Sequence, residues 1–315
     1  MAEEDTSKYF RGVHEVETIE PGDFEANTTA TNSNCRKNPG HTNFIPVKDF
    51  SMAHLPAECK DDDVFQLIKV LSDMTVRIKV KCVSAERPDF IPGTSDPYPL
   101  SEHKGSTTMG TGTGKLDDLT MYREQAKSTL DIYCPCSGCV GSNKKTNHWG
   151  KFEVITARHV VYDDVEAAKT TCTFWHDDKQ SSTVELKLWK IDQPSTNEDW
   201  VRLYIPVCDV NLLEKLKSLL ARHLDLWQTV NDKYEKKENN ITFIVSHPHG
   251  NFKKISIGKW TVKKYVEYGN TKYAYTTPTC PGSSGAYIYR LGSLLTLHTH
   301  SGSNKWGNYC GVDCN

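Results

Sequence analysis

The sequence predicts an all-β-dominated fold built from two antiparallel β-barrels. Two groups of short strand-like runs, bounded by turn residues, occupy most of residues 72–315. One amphipathic helix and a charged stretch, NDKYEKKENN, separate the two groups. We therefore expect four segments: an N-terminal extension over 1–60, a short helix and the first barrel over 61–207, a helical linker over 208–239, and a second barrel over 240–315.

Each segment carries a local pattern that supports this division. The first 60 residues are polar and show no lasting periodicity, which is typical of a flexible or loosely ordered extension. DDDVFQLIKVLSDM begins with acidic residues and places its apolar residues on one helical face. TVRIKVKCV alternates apolar and charged residues with period two, as a strand does. NLLEKLKSLLARHLDLWQTV has a stripe of leucines that predicts the linker helix.

Composition excludes several classes of protein. The chain has 315 residues, of which 37% are hydrophobic and 25% charged, as in a soluble globular protein. A formal net charge of −2 does not favour direct binding to nucleic acid, and no apolar run approaches the roughly 18 residues that a membrane span requires. The opening MAEEDTSKYF lacks the apolar run of a secretory signal. We therefore expect the eleven cysteines to be reduced thiols or metal ligands in a cytoplasmic or nuclear protein.

The stretch TCPGSSGAY, which starts at Thr279, joins two predicted strands. It is either an ordinary hairpin turn or a turn that presents a nucleophile. In the second case Ser284 attacks, and the backbone N–H groups of Gly282 and Ser284 form an oxyanion hole. A serine hydroxyl is a weak nucleophile without a base and an acid that orients the base. The rest of the chain must therefore supply both.

Candidates for the base and the acid occur in the first strand group. His159 follows the apolar run in VITARHVV, and Asp199 precedes the apolar run in EDWVRLYI. His159 alone could be a histidine at the edge of the core, and Asp192 or Glu198 could replace Asp199. The order histidine, aspartate, serine, with the serine in the second strand group, is compatible with one site between two barrels.

The segments TARHVV, EDWVRL and CPGSSGA resemble the three signature segments of the trypsin-like serine proteases. The resemblance covers residues 72–315 and is nearest to intracellular members, the HtrA-type proteases and the nuclear proteases that clear protein–DNA crosslinks. It implies two six-stranded β-barrels with the active site in the cleft between them. It also implies a serine endopeptidase that forms an acyl-enzyme with protein or peptide substrates and needs no cofactor for catalysis. The implied catalytic residues are His159, Asp199 and Ser284, with Gly282 and Ser284 as the oxyanion donors.

Two departures separate the chain from secreted trypsins. Ser283 stands where those enzymes carry an aspartate that pairs with a newly cut N-terminal amine, so the resemblance implies activity without such a cut. Val160 replaces the half-cystine that follows their catalytic histidine, in agreement with a reducing compartment. The first departure, and a slight mismatch around Asp199, leave room for a second function. The chain would then be a catalytically inactive protease-fold protein that binds or scaffolds a partner.

Thr279 and His298 are similar to the Thr/His pair with which glutamyl endopeptidases and picornavirus main proteases hold Glu or Gln. A hydroxyl and an imidazole can both donate to a carboxylate or amide oxygen. Pro278 stands where an aspartate would receive Lys or Arg. We therefore expect Glu or Gln before the cut. In the alternative interpretation His298 only braces its strand.

The stretch CPCSGC precedes the strand that leads to His159 and brings three thiols within six residues. With one histidine nine residues further on, they could hold a structural zinc ion tetrahedrally. Free surface thiols and a redox pair are the alternatives. Cys172 could replace the histidine, and the sequence assigns no role to Cys310 and Cys314. The expected zinc ligands are Cys134, Cys136, Cys139 and His148.

Overall fold

The computed structural model describes residues 6–19, 35–122, 133–142, 146–192, 198–266, 270–293 and 298–311. The described chain is mostly β and forms two antiparallel sheets, consistent with the predicted chymotrypsin-like double barrel. The strands are β1 Val13–His14, β2 Glu17–Ile19, β3 Ile45–Pro46, β4 Thr75–Val80, β5 Met109–Tyr122, β6 Trp149–Thr156, β7 Thr170–Phe174, β8 Val184–Lys187, β9 Lys190–Asp192, β10 Val201–Val207, β11 Ile241–Ser246, β12 Lys254–Tyr265, β13 Thr271–Tyr275, β14 Ile288–Arg290, β15 His300–Asn304 and β16 Gly307–Cys310. The α-helices are α1 Asp62–Met74, α2 Ser137–Val140, α3 Asp164–Ala167 and α4 Val210–Tyr234.

The first sheet has the order β8-β7-β4-β5-β6-β10-β9, and β2 pairs with β5. The two edge strands of this sheet, β8 and β9, follow each other directly in the chain. Strand β8 pairs with β7 at one edge, and β9 pairs with β10 at the other. This arrangement curls the sheet around an apolar interior. Among the buried side chains there are Val76, Ile78, Leu116, Phe152, Val154, Phe174 and Leu203.

The second sheet has the order β1-β15-β16-β13-β12-β11-β14, and β3 pairs with β12. An isolated β-bridge pairs Tyr287, the residue before β14, with Thr299, the residue before β15, and so brings these two strands together. The Ile288 N–H also donates to the His298 carbonyl oxygen at 2.9 Å, next to that bridge. Without β1 and β3 the second sheet consists of the six strands β11 to β16.

The two predicted helices are confirmed. The carboxylate of Asp61 accepts the Asp63 N–H at 2.9 Å at the start of α1, and the carboxylate of Asp209 accepts the Leu212 N–H at 3.1 Å at the start of α4. Both helices pack on the second barrel through one apolar cluster. Helix α4 runs to Tyr234, so the first part of NDKYEKKENN is helical rather than a solvated linker, because Asn231 and Tyr234 face the protein interior.

The described N-terminal residues join both barrels, whereas the sequence predicted a flexible extension. Strand β1 pairs with β15, β2 pairs with β5, and β3 pairs with β12. These strands have two or three residues each, too few for a period-two pattern to show in the sequence. They form because longer strands elsewhere in the chain have edges whose N–H and C=O groups would otherwise be unpaired. Residues 1–5 and 20–34 lie outside the described residues.

No disulfide joins the cysteines that the structure describes. In the same part of the chain, none of the helices combines the length and the apolar character needed to cross a membrane.

Candidate active site

His159 and Asp199 meet at one end of the first barrel. His159 follows β6 and Asp199 precedes β10, and these antiparallel strands pair through Thr156 and Val201. The Asp199 carboxylate lies 2.8 Å from His159 Nδ1 and also accepts the His159 backbone N–H at 3.1 Å. One carboxylate thus fixes both the ring and the backbone of the histidine. Asp199 is therefore the residue that contacts the imidazole. Asp192, at the end of β9, instead accepts from the Tyr204 hydroxyl in β10 at 3.3 Å.

The surroundings of Asp199 keep its carboxylate ionised. Burial alone would raise the pKa of Asp199, but His159, His14 and a hydrogen bond from the Ser301 hydroxyl hold it well below its usual range. His14 Nδ1 lies 3.6 Å from the Asp199 carboxylate. Burial lowers the pKa of His14 to about 4, so this imidazole is neutral at pH 7.

A buried ion pair fixes the turn that carries His159. The Arg87 guanidinium donates to both oxygens of Glu166 at 2.6 and 2.7 Å, and it donates to the His159 carbonyl oxygen at 3.0 Å. Glu166 also accepts the Tyr162 N–H at 2.9 Å. Two-point pairing of this kind sets orientation as well as distance. The backbone of His159 is therefore held from both sides, by Asp199 and by Arg87.

The stretch TCPGSSGAY is a tight turn that requires glycine at two positions, rather than an ordinary hairpin. Gly282 has φ of +90° and Gly285 has φ of +83°, a region that residues with a side chain rarely adopt. A Cβ atom on Gly285 would also lie 2.3 Å from the Thr113 carbonyl oxygen in β5. Thr113 fixes the turn from the first barrel, because its N–H donates to the Ser284 carbonyl oxygen and its hydroxyl to that of Gly282, both at 2.8 Å.

Ser283 holds the same turn through neutral hydrogen bonds. Its hydroxyl oxygen lies 3.0 Å from the Ser246 hydroxyl in β11 and accepts the Cys280 N–H at 3.2 Å. The Ser283 N–H in turn donates to the Cys280 carbonyl oxygen at 2.8 Å. At the position where secreted trypsins use a charged aspartate, this chain uses a serine that closes a local ring of hydrogen bonds.

The neighbouring residues His14 and Glu15 contact His159 and Ser284, respectively. The Ser284 hydroxyl donates to the Glu15 carbonyl oxygen at 2.6 Å, while the His14 ring lies 4.7 Å from the His159 ring. His159 Nε2 is buried and has no hydrogen-bond partner among the described residues. The nitrogen that a base would use is therefore not hydrogen-bonded to Ser284, whose hydroxyl is bonded to Glu15 instead. Gly282 stands two residues before Ser284 as predicted, and its role as an oxyanion donor stays a prediction.

The carboxylate of Glu15 lies in a polar pocket next to Ser284. One oxygen accepts from His300 Nε2 at 3.1 Å and from the Thr279 hydroxyl at 3.4 Å, and the other accepts from Lys37 and Ser303. Burial alone would raise the pKa of Glu15, but His300 and Lys37 hold it well below its usual range. The pocket therefore holds an ionised carboxylate, with one cation and three further donors around it.

Tyr275 contacts the nitrogen of His300 that faces away from the pocket. The Tyr275 hydroxyl lies 2.6 Å from His300 Nδ1. When this hydroxyl donates to Nδ1, the ring proton is on Nε2 and points at Glu15. Burial lowers the pKa of His300, so the imidazole donates as a neutral group at neutral pH.

Thr279 contacts the Glu15 carboxylate, whereas His298, the residue predicted to act with it, lies elsewhere in the second barrel; their role in binding substrate stays a prediction. His298 Nε2 lies 3.2 Å from the Thr271 hydroxyl, and its Nδ1 lies 3.4 Å from Cys310 Sγ. His298 thus braces the second barrel, and Cys310 gains a structural role from this contact. The pocket histidine is His300, two residues further along, where the pairing of β15 with β16 shifts register. Cys314 lies outside the described residues.

The three thiols of CPCSGC converge with Cys208 rather than with His148. The four sulfur atoms lie within 4.8 Å of one another, and Cys208 Sγ lies 3.8 Å from that of Cys136 and 3.6 Å from that of Cys139. His148 is exposed outside this cluster, and Cys172 is buried in the core of the first barrel. Strand pairing of β10 with β6 returns Cys208 to the cysteine loop, which the distance along the sequence could not show.

A second cluster of potential metal ligands was missed by the sequence analysis. Cys35, His41, His249 and Cys280 place their ligand atoms within 4.8 Å of one another. In the sequence, His249 lies in SHPHG and Cys280 in TCPG, and both stretches have the composition of turns rather than of a metal motif.

The family model of the lysyl endopeptidase C-terminal domain matches residues 118–303, which include His159, Asp199 and Ser284. The chain belongs to this protease family. Membership confirms the trypsin-like serine protease superfamily that the three motifs predicted. No curated protein sequence matches the chain.

Several solved protease structures are similar to this chain. The inactive form of the Rv3671c protease is 11% identical to this chain, with a TM-score of 0.36. The match covers 79% of this chain and 87% of that protease. The active form of the Rv3671c protease from M. tuberculosis is 12% identical, with 78% of each chain covered and a TM-score of 0.36. The HtrA-type protease AlgW with tripeptide is 9% identical, covers 78% of this chain and 57% of its own, and has a TM-score of 0.35.

Proposed function

We propose that this chain is a serine endopeptidase that cuts peptide bonds after glutamate. The observation that carries the proposal is the position of Glu15. Its carbonyl oxygen accepts from the Ser284 hydroxyl at 2.6 Å, and its carboxylate lies in the adjoining pocket. The substrate residue whose carbonyl meets the nucleophile is the residue before the cut. The pocket around the Glu15 side chain is therefore the specificity pocket.

The backbone on both sides of Glu15 supports this interpretation. Before it, β1 pairs antiparallel with β15, with Val13 opposite Ser303. After it, β2 pairs antiparallel with β5, with Glu17 opposite Thr111. An extended chain that adds a strand to exposed sheet edges is a common way to bind a peptide. The segment crosses the cleft as a substrate peptide would.

The charge of the pocket selects glutamate over glutamine and lysine. Lys37 is a full positive charge, whereas Thr279 and His300 donate as neutral groups. A carboxylate gains a charge-assisted hydrogen bond from Lys37 that an amide cannot match. A lysine before the cut would place two like charges together, which disfavours it. The pocket of this chain thus differs from what the family's lysyl name describes.

The proposed mechanism assigns one role to each of His159, Asp199 and Ser284. As Ser284 Oγ attacks the substrate carbonyl carbon, its proton passes to His159 Nε2, and Asp199 stabilises the resulting imidazolium. The N–H groups of Gly282 and Ser284 hold the negative oxygen; loss of one such donor costs about 10²–10³ in kcat. His159 then gives its proton to the leaving amine as the C–N bond breaks. Water hydrolyses the remaining ester by the same route.

We also propose that Cys134, Cys136, Cys139 and Cys208 hold a structural zinc ion. A tetrahedron with Zn–S bonds of about 2.3 Å has S···S edges of about 3.8 Å. The observed separations from Cys208 are 3.6 and 3.8 Å. Such an ion would tie the cysteine loop to the end of β10.

A fluorophosphonate probe tests Ser284 as the nucleophile. We expect the probe to label the wild type and Glu15→Lys, and we expect Ser284→Ala to abolish the label because Ser284 is the proposed nucleophile. Ser181→Ala, a serine whose hydroxyl contacts Asp178, is the matched control and should keep its label. No label on either folded wild type or folded Glu15→Lys would indicate the inactive binding protein instead.

Peptide hydrolysis tests the pocket. Lys37→Met removes the pocket cation, and a hydrogen bond to a charged group contributes about 1.5–3 kcal/mol. We expect the ratio of kcat/KM for a peptide with glutamate before the cut to kcat/KM for the matched glutamine peptide to fall by roughly 10- to 100-fold. Lys236→Met changes an exposed lysine and should leave this ratio unchanged. Equal ratios for Lys37→Met and wild type would refute the pocket assignment.

Zinc content tests the four-cysteine site. In full-length protein purified without chelator, Cys208→Ser should lose about one equivalent of zinc and melt at a lower temperature, because a tetrahedral site with three thiols left binds zinc more weakly. His148→Ala should keep all of its zinc. The opposite pattern, zinc lost in His148→Ala and kept in Cys208→Ser, would restore the ligand set that the sequence predicted.

A further inference from the structure

Behind the nucleophile turn, two thiols and two imidazoles face one buried point. Cys35 Sγ lies 3.5 Å from Cys280 Sγ, and Cys280 Sγ lies 3.4 Å from His41 Nε2. His249 completes the group, with all four ligand atoms within 4.8 Å of one another. A tetrahedral zinc ion with Zn–S of about 2.3 Å and Zn–N of about 2.0 Å requires S···S and S···N separations of about 3.8 and 3.5 Å. We propose that these four residues form a second zinc site.

The groups around the cluster are those that a thiolate zinc site needs. The Asn38 backbone N–H points to Cys35 Sγ at 3.4 Å, and the Asn38 side-chain amide donates to Cys280 Sγ at 3.2 Å. Both contacts stabilise sulfur that carries negative charge. His249 Nδ1 lies 2.8 Å from the Glu17 carboxylate, which leaves Nε2 for the metal. A zinc-bound histidine usually has such a carboxylate partner on its other nitrogen.

Burial argues that the four side chains need a common partner. Cys280 is fully buried, and Cys35 and His41 are 8% and 6% exposed. The two imidazole rings stack at 5.2 Å, so neither ring can satisfy the other by a hydrogen bond between them in this arrangement. A disulfide would consume the two thiols and leave the Nε2 atoms of both histidines without a metal to bind. One zinc ion binds all four ligands at once.

The position of the site gives it a role in the protease. Cys280 lies four residues before Ser284. His249 lies in a turn that packs against Gly282, because a Cβ atom added to Gly282 would lie only 2.9 Å from the His249 backbone nitrogen. Lys37 lies on the chain between Cys35 and His41 and extends into the specificity pocket. The zinc ion would therefore hold the pocket cation beside the nucleophile turn. This consequence, unlike the site itself, rests on the proposed function.

Metal analysis of the full chain tests the site without reference to activity. Wild-type protein purified without chelator should contain about two equivalents of zinc, one in each four-ligand cluster. Cys208→Ser, which leaves the second site intact, should retain about one equivalent. X-ray absorption at the zinc edge of this variant should show two sulfur and two nitrogen ligands.

Further variants complete the test. Cys35→Ser should lose about one equivalent relative to wild type, and Cys172→Ser, a buried thiol in neither cluster, should lose none. If Cys35→Ser fails to fold, the number of sulfur and nitrogen ligands that X-ray absorption finds in Cys208→Ser is by itself the test of the site. Zinc below about a tenth of an equivalent in folded Cys208→Ser, or a Cys35–Cys280 disulfide in protein purified under reducing conditions, would overturn the proposal.

A different observation supports a second inference, which rests on the proposed pocket. Residues 13–19 fill the cleft on both sides of Ser284, and Ser284 is itself fully buried. We infer that this segment competes with peptide substrates and must leave before another peptide can enter. The binding of this segment to the cleft depends on the Glu15 carboxylate, which contacts Lys37 and His300.

Peptide binding in a background that cannot turn over tests the competition. With Ser284→Ala, the full chain should bind a fluorescent glutamate peptide weakly, and adding Glu15→Lys should tighten binding by tenfold or more, because a lysine would face Lys37 and leave the pocket. Glu58→Lys, an exposed position, is the control and should not change the affinity. Equal affinities with and without Glu15→Lys would refute the competition. Loss of label from the probe experiment above would instead refute the catalytic role.

Discussion

The buried carboxylate of Glu15 is the interaction on which the candidate site depends. A charge away from water is costly unless it is paired and hydrogen-bonded. Here Lys37 supplies the countercharge, and His300 and Ser303 supply further donors. Because the carbonyl of the same residue accepts from Ser284, this one carboxylate brings the N-terminal segment, the second barrel and the nucleophile turn into a single arrangement.

The turn that carries Ser284 is held from several directions without a charged anchor. Thr113 in β5 donates twice to its backbone, and Ser283 closes a ring with Ser246 and Cys280. The positive φ of Gly282 and Gly285 allows the close approach that these contacts require. A serine protease turn must hold its N–H groups in place before charge develops. In this chain the proposed zinc at Cys280 would add a further restraint to that set.

Local patterns predicted those parts of the molecule that depend on local sequence. The period of TVRIKVKCV, the acidic start of α1 and the leucines of α4 gave the correct elements, since periodicity reports which face is buried. The His159, Asp199 and Ser284 motifs could be identified because each ends or begins an apolar strand. Lys37 and Glu15 could not be found this way, because they lie in a polar segment whose strands are too short to show a pattern. Cys208 and His300 depended on strand pairing and register, which the sequence does not display.

The central claim is that the cleft cuts peptide bonds after glutamate. A mass-spectrometric cleavage profile of an unfolded protein mixture tests it most directly, with Ser284→Ala as the blank. The account predicts that new termini generated only by the wild type follow glutamate in most cases, with few after glutamine and none enriched after lysine. A profile dominated by lysine, or by phenylalanine, tyrosine or leucine, would contradict it.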